Sequence, residues 1–199
     1  MNMDKLSYSW GLAMGRQLQG MGVKDLDLDT YMEAIKSVYA GTEPAVPVEE
    51  AQKLINEYLE DLQKKAEAAA RAEGEQFLAD NGKKENVKTT ASGLQYVVVK
   101  EGTGAQPTAE DEVTVHYTGK LVSGQVFDSS VNRGEPATFP LNRVIPGWTE
   151  GVQLMKEGAK YTFFIPSDLA YGPQGVPGAI PPHSTLIFDV ELIKVNKKA

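Results

Sequence analysis

The chain has 199 residues, of which 41% are hydrophobic, so it can bury a core in one large domain or two modest ones. It carries 27 acidic and 20 basic residues, a net charge of −7, and no basic run with interleaved aromatic residues. This balance argues against nucleic acid and anionic membrane surfaces as partners. Because cysteine is absent, neither a disulfide framework nor a thiolate site can form.

The beginning of the sequence does not have the pattern of a targeting segment. Asp4, Lys5 and Arg16 interrupt its apolar residues, and no stretch of the chain approaches the length of a membrane span. We therefore expect a cytoplasmic protein as the sequence is written. Periplasmic or surface export is the alternative if a signal segment has been removed.

Apolar residues recur at helical spacing up to about Gly82, which predicts three helices. The first carries its apolar face from Leu6 to Met21. The second has Asp29 as its N-cap and stops at Gly41. The third extends from about 47 to 81, which corresponds to roughly 50 Å at a rise of about 1.5 Å per residue.

The third predicted helix has an apolar stripe along its first half. The stripe consists of Ala51, Leu54, Ile55, Tyr58, Leu59 and Leu62. Two short helices cannot cover a stripe of this length in a monomer of this size, whereas a second copy of the same helices can. We therefore expect an intertwined homodimer. A solvated spacer helix is the alternative, and the Ala- and charge-rich segment 64–75 has the composition of one.

From Leu94 onward the apolar residues alternate, which predicts an antiparallel sheet of about five strands. The predicted strands contain the segments LQYVVV, EVTVHYTGKL, GQVFDSS, KYTFFIP and TLIFDVELIKV. The one helix expected between strands is 146–155, with Pro146 in its first turn. The fold class is therefore α+β, with a helical domain at 1–90 and a sheet domain at 91–199, separated by the polar stretch 81–93.

Five blocks of the second half recur in a known order. They are VHYTGKL (115–121), VFDSS (126–130), VIPGW (144–148), PSDLAYG (166–172) and IPPHSTLIFDVELI (180–193). Their order and spacing resemble the FKBP family of peptidyl-prolyl cis-trans isomerases over 92–195. The segments SYSWGLAMGRQL and DTYMEAIKSVYAG before a long helix resemble the dimerisation domain of bacterial FKBP proteins of the macrophage infectivity potentiator type.

The resemblance implies a half-barrel of antiparallel sheet around a short helix, with an apolar pocket for a prolyl ring. The residues that it implies as catalytic are Tyr117, Asp128, Ile145 and Tyr171. Those that it implies as substrate-binding are Phe127, Val144, Trp148, Ile180 and Phe188. The family implies no cofactor and no metal, and the chain's two histidines, His116 and His183, cannot assemble a histidine metal cluster.

By the same resemblance, the backbone N–H of Ile145 and the hydroxyl of Tyr171 donate to substrate carbonyls. Asp128 orients Tyr117 and interacts with the twisting amide. None of these residues needs to act as an acid or a base, because rotation about the X–Pro bond transfers no proton. The implied partners are proline-containing polypeptides, together with macrolide inhibitors.

The sequence departs from the family pattern at two positions near the expected pocket. Ala137 stands where many family members have an aromatic residue, and Val176 replaces a frequent histidine, so macrolide affinity and the preferred residue before proline stay open. Taken alone, Phe127, Trp148 and Phe188 would be ordinary core aromatics. A non-catalytic chaperone that docks proline-containing segments is the alternative function.

Overall fold

The computed structural model describes residues 2–198, in which helices precede an antiparallel sheet. The helices are α1 (Met3–Gly20), α2 (Leu28–Ala40), α3 (Val48–Asn81), α4 (Ser130–Arg133) and α5 (Pro146–Val152). The strands are β1 (Lys88–Thr89), β2 (Gln95–Lys100), β3 (Glu112–Leu121), β4 (Val126–Ser129), β5 (Ala137–Pro140), β6 (Lys160–Ile165) and β7 (Leu186–Asn196). Short 3-10 helices cover Leu141–Arg143 and Ser167–Leu169. The predicted α+β class is confirmed.

The chain forms two compact units, one ending at Lys65 and the other starting at Ala66. The domain boundary expected at residue 90 stays a prediction. Among residues 2–198, no helix is both long enough and apolar enough to span a membrane.

The first unit leaves its apolar side chains largely uncovered. Neither α1 nor α2 contains a buried residue. Trp10 is 66% exposed and Tyr39 is 90% exposed. Burying such side chains is worth about 1.5–3 kcal/mol each, so this surface favours association with another apolar surface.

Helix α2 starts two residues earlier than the sequence predicted. Asp27, not Asp29, is the N-cap, and its carboxylate accepts from the backbone N–H of Thr30 at 2.9 Å. Asp29 lies in the first turn, where a negative charge is stabilised by the helix dipole. The helix ends, as expected, at Gly41, which adopts the left-handed conformation at φ 66°.

Within residues 2–198 the sheet has seven antiparallel strands in the order β1-β2-β6-β7-β3-β4, with β5 also paired to β3. The five predicted strands are all present. The two that the prediction missed, β1 and β5, are two and four residues long. Strand β5 follows Pro136 and ends at Pro140, and these two prolines give its sequence the character of a turn.

Helix α5 covers the inner face of the sheet and completes the core. Trp148 and Val152 are buried there against a cluster that includes Phe163. A Cβ atom on Gly151 would lie 2.7 Å from the Phe163 ring, so glycine permits the close approach of α5 to β6. The helix ends at Val152, three residues before the predicted end, and turns carry the chain on to the buried Met155.

The last turns of α3 belong to the second unit and cover the outer face of β6. The rings of Phe77 and Phe164 lie 5.8 Å apart. Asn81, buried at the end of α3, donates from Nδ2 to Gln95 Oε1 at 3.0 Å, and Gln95 Nε2 donates to the carbonyl of Leu78 at 2.8 Å. These hydrogen bonds pair the two buried amides where the helix meets the sheet.

The C-terminal end of β7 is held by the buried carboxylate of Asp111. This carboxylate accepts from the backbone N–H groups of Thr108 (2.7 Å) and Lys198 (3.0 Å), and from Lys197 Nζ (2.9 Å). The Lys197 hydrogen bond, followed by those from the two backbone groups, lowers the pKa of Asp111 well below its usual range.

We expect Asp111→Asn to lower the Tm at pH 7, because the amide cannot satisfy the same set of donors. A carboxylate with a lowered folded-state pKa stabilises the fold above its unfolded pKa of about 4, and this contribution fades as the pH falls below that value. Thermal unfolding at pH 7 and pH 3 should therefore show a smaller Tm difference between the variant and the parent at pH 3. Equal differences at both pH values would contradict the assignment.

Candidate functional site

The site begins where one side of β3 changes from pairing with β5 to pairing with β4. Strand β5 pairs with β3 from Glu112 to Val115, and β4 pairs with it from Thr118 onward. Tyr117 lies in the gap, and its backbone N–H donates to the hydroxyl of Ser130 at 2.8 Å. Ser130 is fully buried and also contacts His116 Nδ1 at 3.0 Å. A side-chain hydroxyl thus replaces the missing strand partner, and the Tyr117 ring points into the core.

An aromatic cavity of about 510 Å³ lies between α5 and the inner face of the sheet. Its lining consists of Tyr117, Phe127, Asp128, Phe139, Arg143, Val144, Ile145, Trp148, Tyr171 and Phe188. Trp148 is 4% exposed and meets the rings of Phe188 and Tyr117 edge-on, each at 5.3 Å between centroids. Such edge-to-face pairs fix ring orientation, so the cavity is preformed.

Gly119 in the VHYTGKL block permits this ring arrangement. A Cβ atom there would lie 2.7 Å from Phe127 Cζ and 2.7 Å from Phe188 Cε1. The two rings, whose centroids are 5.6 Å apart, therefore lie directly over the glycine backbone. In the sequence Gly119 stands out only as part of its block, because the steric requirement is visible only in the fold.

Three polar residues at the cavity edge form a hydrogen-bonded cluster. Asp128 accepts hydrogen bonds from the Tyr117 hydroxyl and from Arg133. Arg133 also donates to the Tyr117 hydroxyl at 3.1 Å and lies over the Tyr117 ring, 5.7 Å from its centroid. Arg133, at the end of α4, was not among the predicted site residues.

The cluster keeps Asp128 ionised and Tyr117 neutral. Partial burial opposes ionisation of Asp128, but the hydrogen bonds from Tyr117 and Arg133 outweigh it, and the pKa of Asp128 is lowered. Burial, together with the hydrogen bond to Asp128, raises the pKa of Tyr117. At neutral pH the carboxylate is therefore a fixed negative charge, unsuited to donating a proton.

Two hydrogen-bond donors from different segments of the chain lie at the cavity. Ile145 is the N-cap of α5, and within residues 2–198 its N–H donates to no backbone or side-chain acceptor. Tyr171 follows the 3-10 helix Ser167–Leu169 and is 40% exposed. Burial raises the pKa of Tyr171, and the charge of Asp128 raises it further. Both groups can donate to a carbonyl group placed in the cavity.

Eight of the nine predicted site residues line the aromatic cavity, and Ile180 is the exception. Ile180 is 5% exposed, and its backbone pairs with Val176 (N–H to carbonyl, 2.9 Å). It lines a second cavity of about 400 Å³ together with Leu121 and Pro177. Phe139 and Arg143 line the aromatic cavity but were not predicted as site residues.

The histidines have no direct part in the cavity. His116 lies on the opposite face of β3 from Tyr117, as strand alternation predicted. The backbone N–H of His183 donates to the carbonyl of Gly172 at 2.9 Å, so this residue braces the loop before β7 through its backbone.

Comparison with known proteins assigns both halves of the chain. Residues 103–193 match the family model described as FKBP-type peptidyl-prolyl cis-trans isomerase. Residues 3–98 match the model described as the domain amino terminal to FKBP-type peptidyl-prolyl isomerase.

Individual relatives extend over nearly the whole chain. A protein of Neisseria meningitidis serogroup B named as a probable FKBP-type peptidyl-prolyl cis-trans isomerase FkpA is 50% identical, over 98% of this chain and 75% of its own length. The outer membrane protein MIP of Legionella longbeachae is 41% identical, over 98% of this chain and 87% of its own length. The crystal structure of FkpA from Escherichia coli has a TM-score of 0.79 at 36% identity, covering 98% of this chain and 97% of that one.

These matches agree with the cavity and with the order of the sequence blocks. The chain belongs to the FKBP-type peptidyl-prolyl cis-trans isomerases.

Proposed function

We propose that the aromatic cavity is where this isomerase binds the prolyl ring and accelerates rotation about X–Pro bonds in folding polypeptides. The observation that carries the proposal is the buried Trp148, which meets three aromatic rings edge-on at the base of a cavity of about 510 Å³. A prolyl ring is small and apolar, and its ring carbons need no hydrogen bonds from such an aromatic floor.

The mechanism follows from the planarity of the amide. Its partial double-bond character sets a barrier of about 18–20 kcal/mol to rotation. Water stabilises the planar form by hydrogen bonding to its carbonyl, so moving the bond into an apolar cavity removes part of that stabilisation. The N–H of Ile145 and the hydroxyl of Tyr171 hold substrate carbonyl groups in place. The cavity then favours the twisted amide over the planar one.

The Asp128 carboxylate acts as a fixed charge in this scheme. Arg133 and Tyr117 hold it at the cavity edge, where it orients the Tyr117 ring and interacts with the twisting amide. Because the pKa of Asp128 is lowered and that of Tyr171 is raised, neither group changes protonation near neutral pH. The rate should therefore be insensitive to pH between about 6 and 8.

We expect Phe127→Ala and Asp128→Ala each to lower kcat/KM roughly tenfold or more for a Leu-Pro peptide, since about 1.4 kcal/mol of lost transition-state stabilisation is tenfold in rate. A protease-free assay of cis-to-trans relaxation measures this. Asp189→Ala is the matched control, because that carboxylate pairs with Lys120 outside the aromatic cavity. Equal rates for all three variants and the parent would refute the placement of the site.

The same assay tests the ionic cluster. Arg133→Ala should lower kcat/KM less than Asp128→Ala does, because the carboxylate stays present but loses one of its donors. The double variant should match Asp128→Ala alone if the ion pair with Asp128, and not the contacts with Tyr117, is the route by which Arg133 acts. Additive losses would instead give Arg133 an independent role.

The alternative, a chaperone that docks proline-containing segments without catalysis, makes a different prediction. It requires that a well-folded chain bind a prolyl peptide and leave its relaxation rate unchanged. No observation on the cavity favours it, whereas chaperoning in addition to isomerisation is compatible with the same apolar surface.

We also propose that the chain is a homodimer through its N-terminal helices. The support is the uncovered apolar surface of the first unit, including Leu54 and Ile55, each 53% exposed on α3. Two cavities in one dimer gain effective concentration on a client with several prolines.

The dimer predicts that Ile55→Glu shifts the sedimenting species from twice the chain mass to the chain mass, because it places charges in an apolar interface. Lys53→Gln, with a charge change of the same size on the opposite face of α3, should leave the mass unchanged. Activity on a short peptide should be the same in both. A parent chain that sediments as a monomer would rule out the dimer.

For location, we propose the exported alternative over the cytoplasmic one. Its support is the relative named as an outer membrane protein at 41% identity. Fractionation of the source cells tests this: recovery with periplasmic or surface markers is expected, and recovery with cytoplasmic markers would reverse the assignment.

A further inference from the structure

Gly74 lies in the interior of α3 and is buried. Glycine in a helix interior costs about 1 kcal/mol relative to alanine, so a compensating reason is expected. A Cβ atom on Gly74 would lie 2.5 Å from Thr185 Oγ1 and 3.1 Å from Thr185 Cβ. The glycine therefore permits a close approach between α3 and Thr185, which is itself 4% exposed.

The neighbouring turns of α3 are attached to the sheet. Phe77 packs on Phe164, and the amides of Asn81 and Gln95 connect the helix end to β2. Because these contacts hold the segment 66–81 against two strands, the helix cannot retreat freely from Thr185. A larger side chain at position 74 would push Thr185 instead.

Thr185 ends the loop 166–185, which carries Tyr171. The loop is closed by the His183 N–H, which donates to the Gly172 carbonyl, and by the Gly172 N–H, which donates to the Ser167 carbonyl, each at 2.9 Å. Ser184 Oγ donates to the carbonyl of Pro181 at 2.7 Å. A shift of Thr185 is therefore transmitted through His183 and Gly172 to the residue next to Tyr171.

Asp168, near the other end of the loop, acts on α3 through its charge. Arg71 donates to Glu75 at 2.9 Å, and this hydrogen bond raises the pKa of Arg71. The negative charge of Asp168 contributes in the same direction, which places Asp168 within electrostatic reach of the helix. The contact that joins the loop to α3 is the one between Thr185 and Gly74.

We propose that the α3 segment 66–81 is the base of the loop 166–185, and that Gly74 is a positioning residue for isomerisation, acting through Thr185 on Tyr171. This inference rests on the proposed role of Tyr171 as a donor in the cavity. It makes the end of the long helix part of the catalytic unit instead of a tether. It also gives the helix a route by which its position affects turnover.

The test uses the full chain and four proteins: the parent, Gly74→Ala, the double variant Gly74→Ala with Thr185→Ala, and Glu73→Ala. The double variant removes Thr185 Oγ1 and leaves an approach of 3.1 Å, which a small shift relieves. Glu73→Ala is the matched control, an alanine at the adjacent exposed position of the same helix. The measurements are kcat and KM on a Leu-Pro peptide, the Tm, and amide hydrogen exchange of 166–185.

We expect Gly74→Ala to lower kcat/KM roughly tenfold, mainly through kcat, because a small displacement of a positioned donor is costly in the transition state. Amide hydrogen exchange of residues 166–185 should be faster in Gly74→Ala than in the parent. The double variant should recover most of the lost kcat/KM, and Glu73→Ala should have the parental kcat/KM and exchange. A Gly74→Ala variant with parental kcat and parental exchange overturns the inference and leaves the proposed function standing. An inactive parent overturns the proposed function, and the exchange rates then still decide whether α3 fixes the loop.

Discussion

The backbone of Tyr117 sets the constraint on which the site depends. Strand β3 loses one neighbour before Tyr117 and gains another after it, so the buried N–H there needs a partner from elsewhere. Ser130 supplies it from the start of α4. An unmet buried N–H would cost about 1–3 kcal/mol, so the bond ties α4 to β3. The same tie sets Arg133, at the end of α4, near the Tyr117 ring and Asp128.

Polar and apolar groups are separated within the cavity. The floor is aromatic, and at the edge Asp128, Tyr117 and Arg133 already satisfy one another by hydrogen bonding. A substrate amide therefore meets an environment that neither supplies nor removes protons, and the cost of orienting these groups is met during folding. This arrangement suits a reaction in which a bond rotates and none breaks.

Much of the fold could be predicted from the sequence, because apolar period alone separates the three N-terminal helices from the sheet. The five sequence blocks located most of the cavity, because these short motifs contain both its aromatic residues and the turn residues that place them. Three details could not be predicted. Strand β5 is too short to show a period, Arg133 acquires its role only when α4 folds back on Asp128, and the loop fold turns Ile180 away from the aromatic cavity. Each depends on tertiary contacts that no local pattern encodes.

The burial of Trp148 has an optical consequence. The chain has two tryptophans, one in each unit: Trp148 is enclosed by rings, and Trp10 on α1 is mostly exposed to solvent. An indole in rigid apolar surroundings emits at shorter wavelength than one in water, so the two side chains form separable intrinsic fluorophores. A chain that keeps only Trp148 would report occupancy of the cavity by its emission, and a chain that keeps only Trp10 would report coverage of α1.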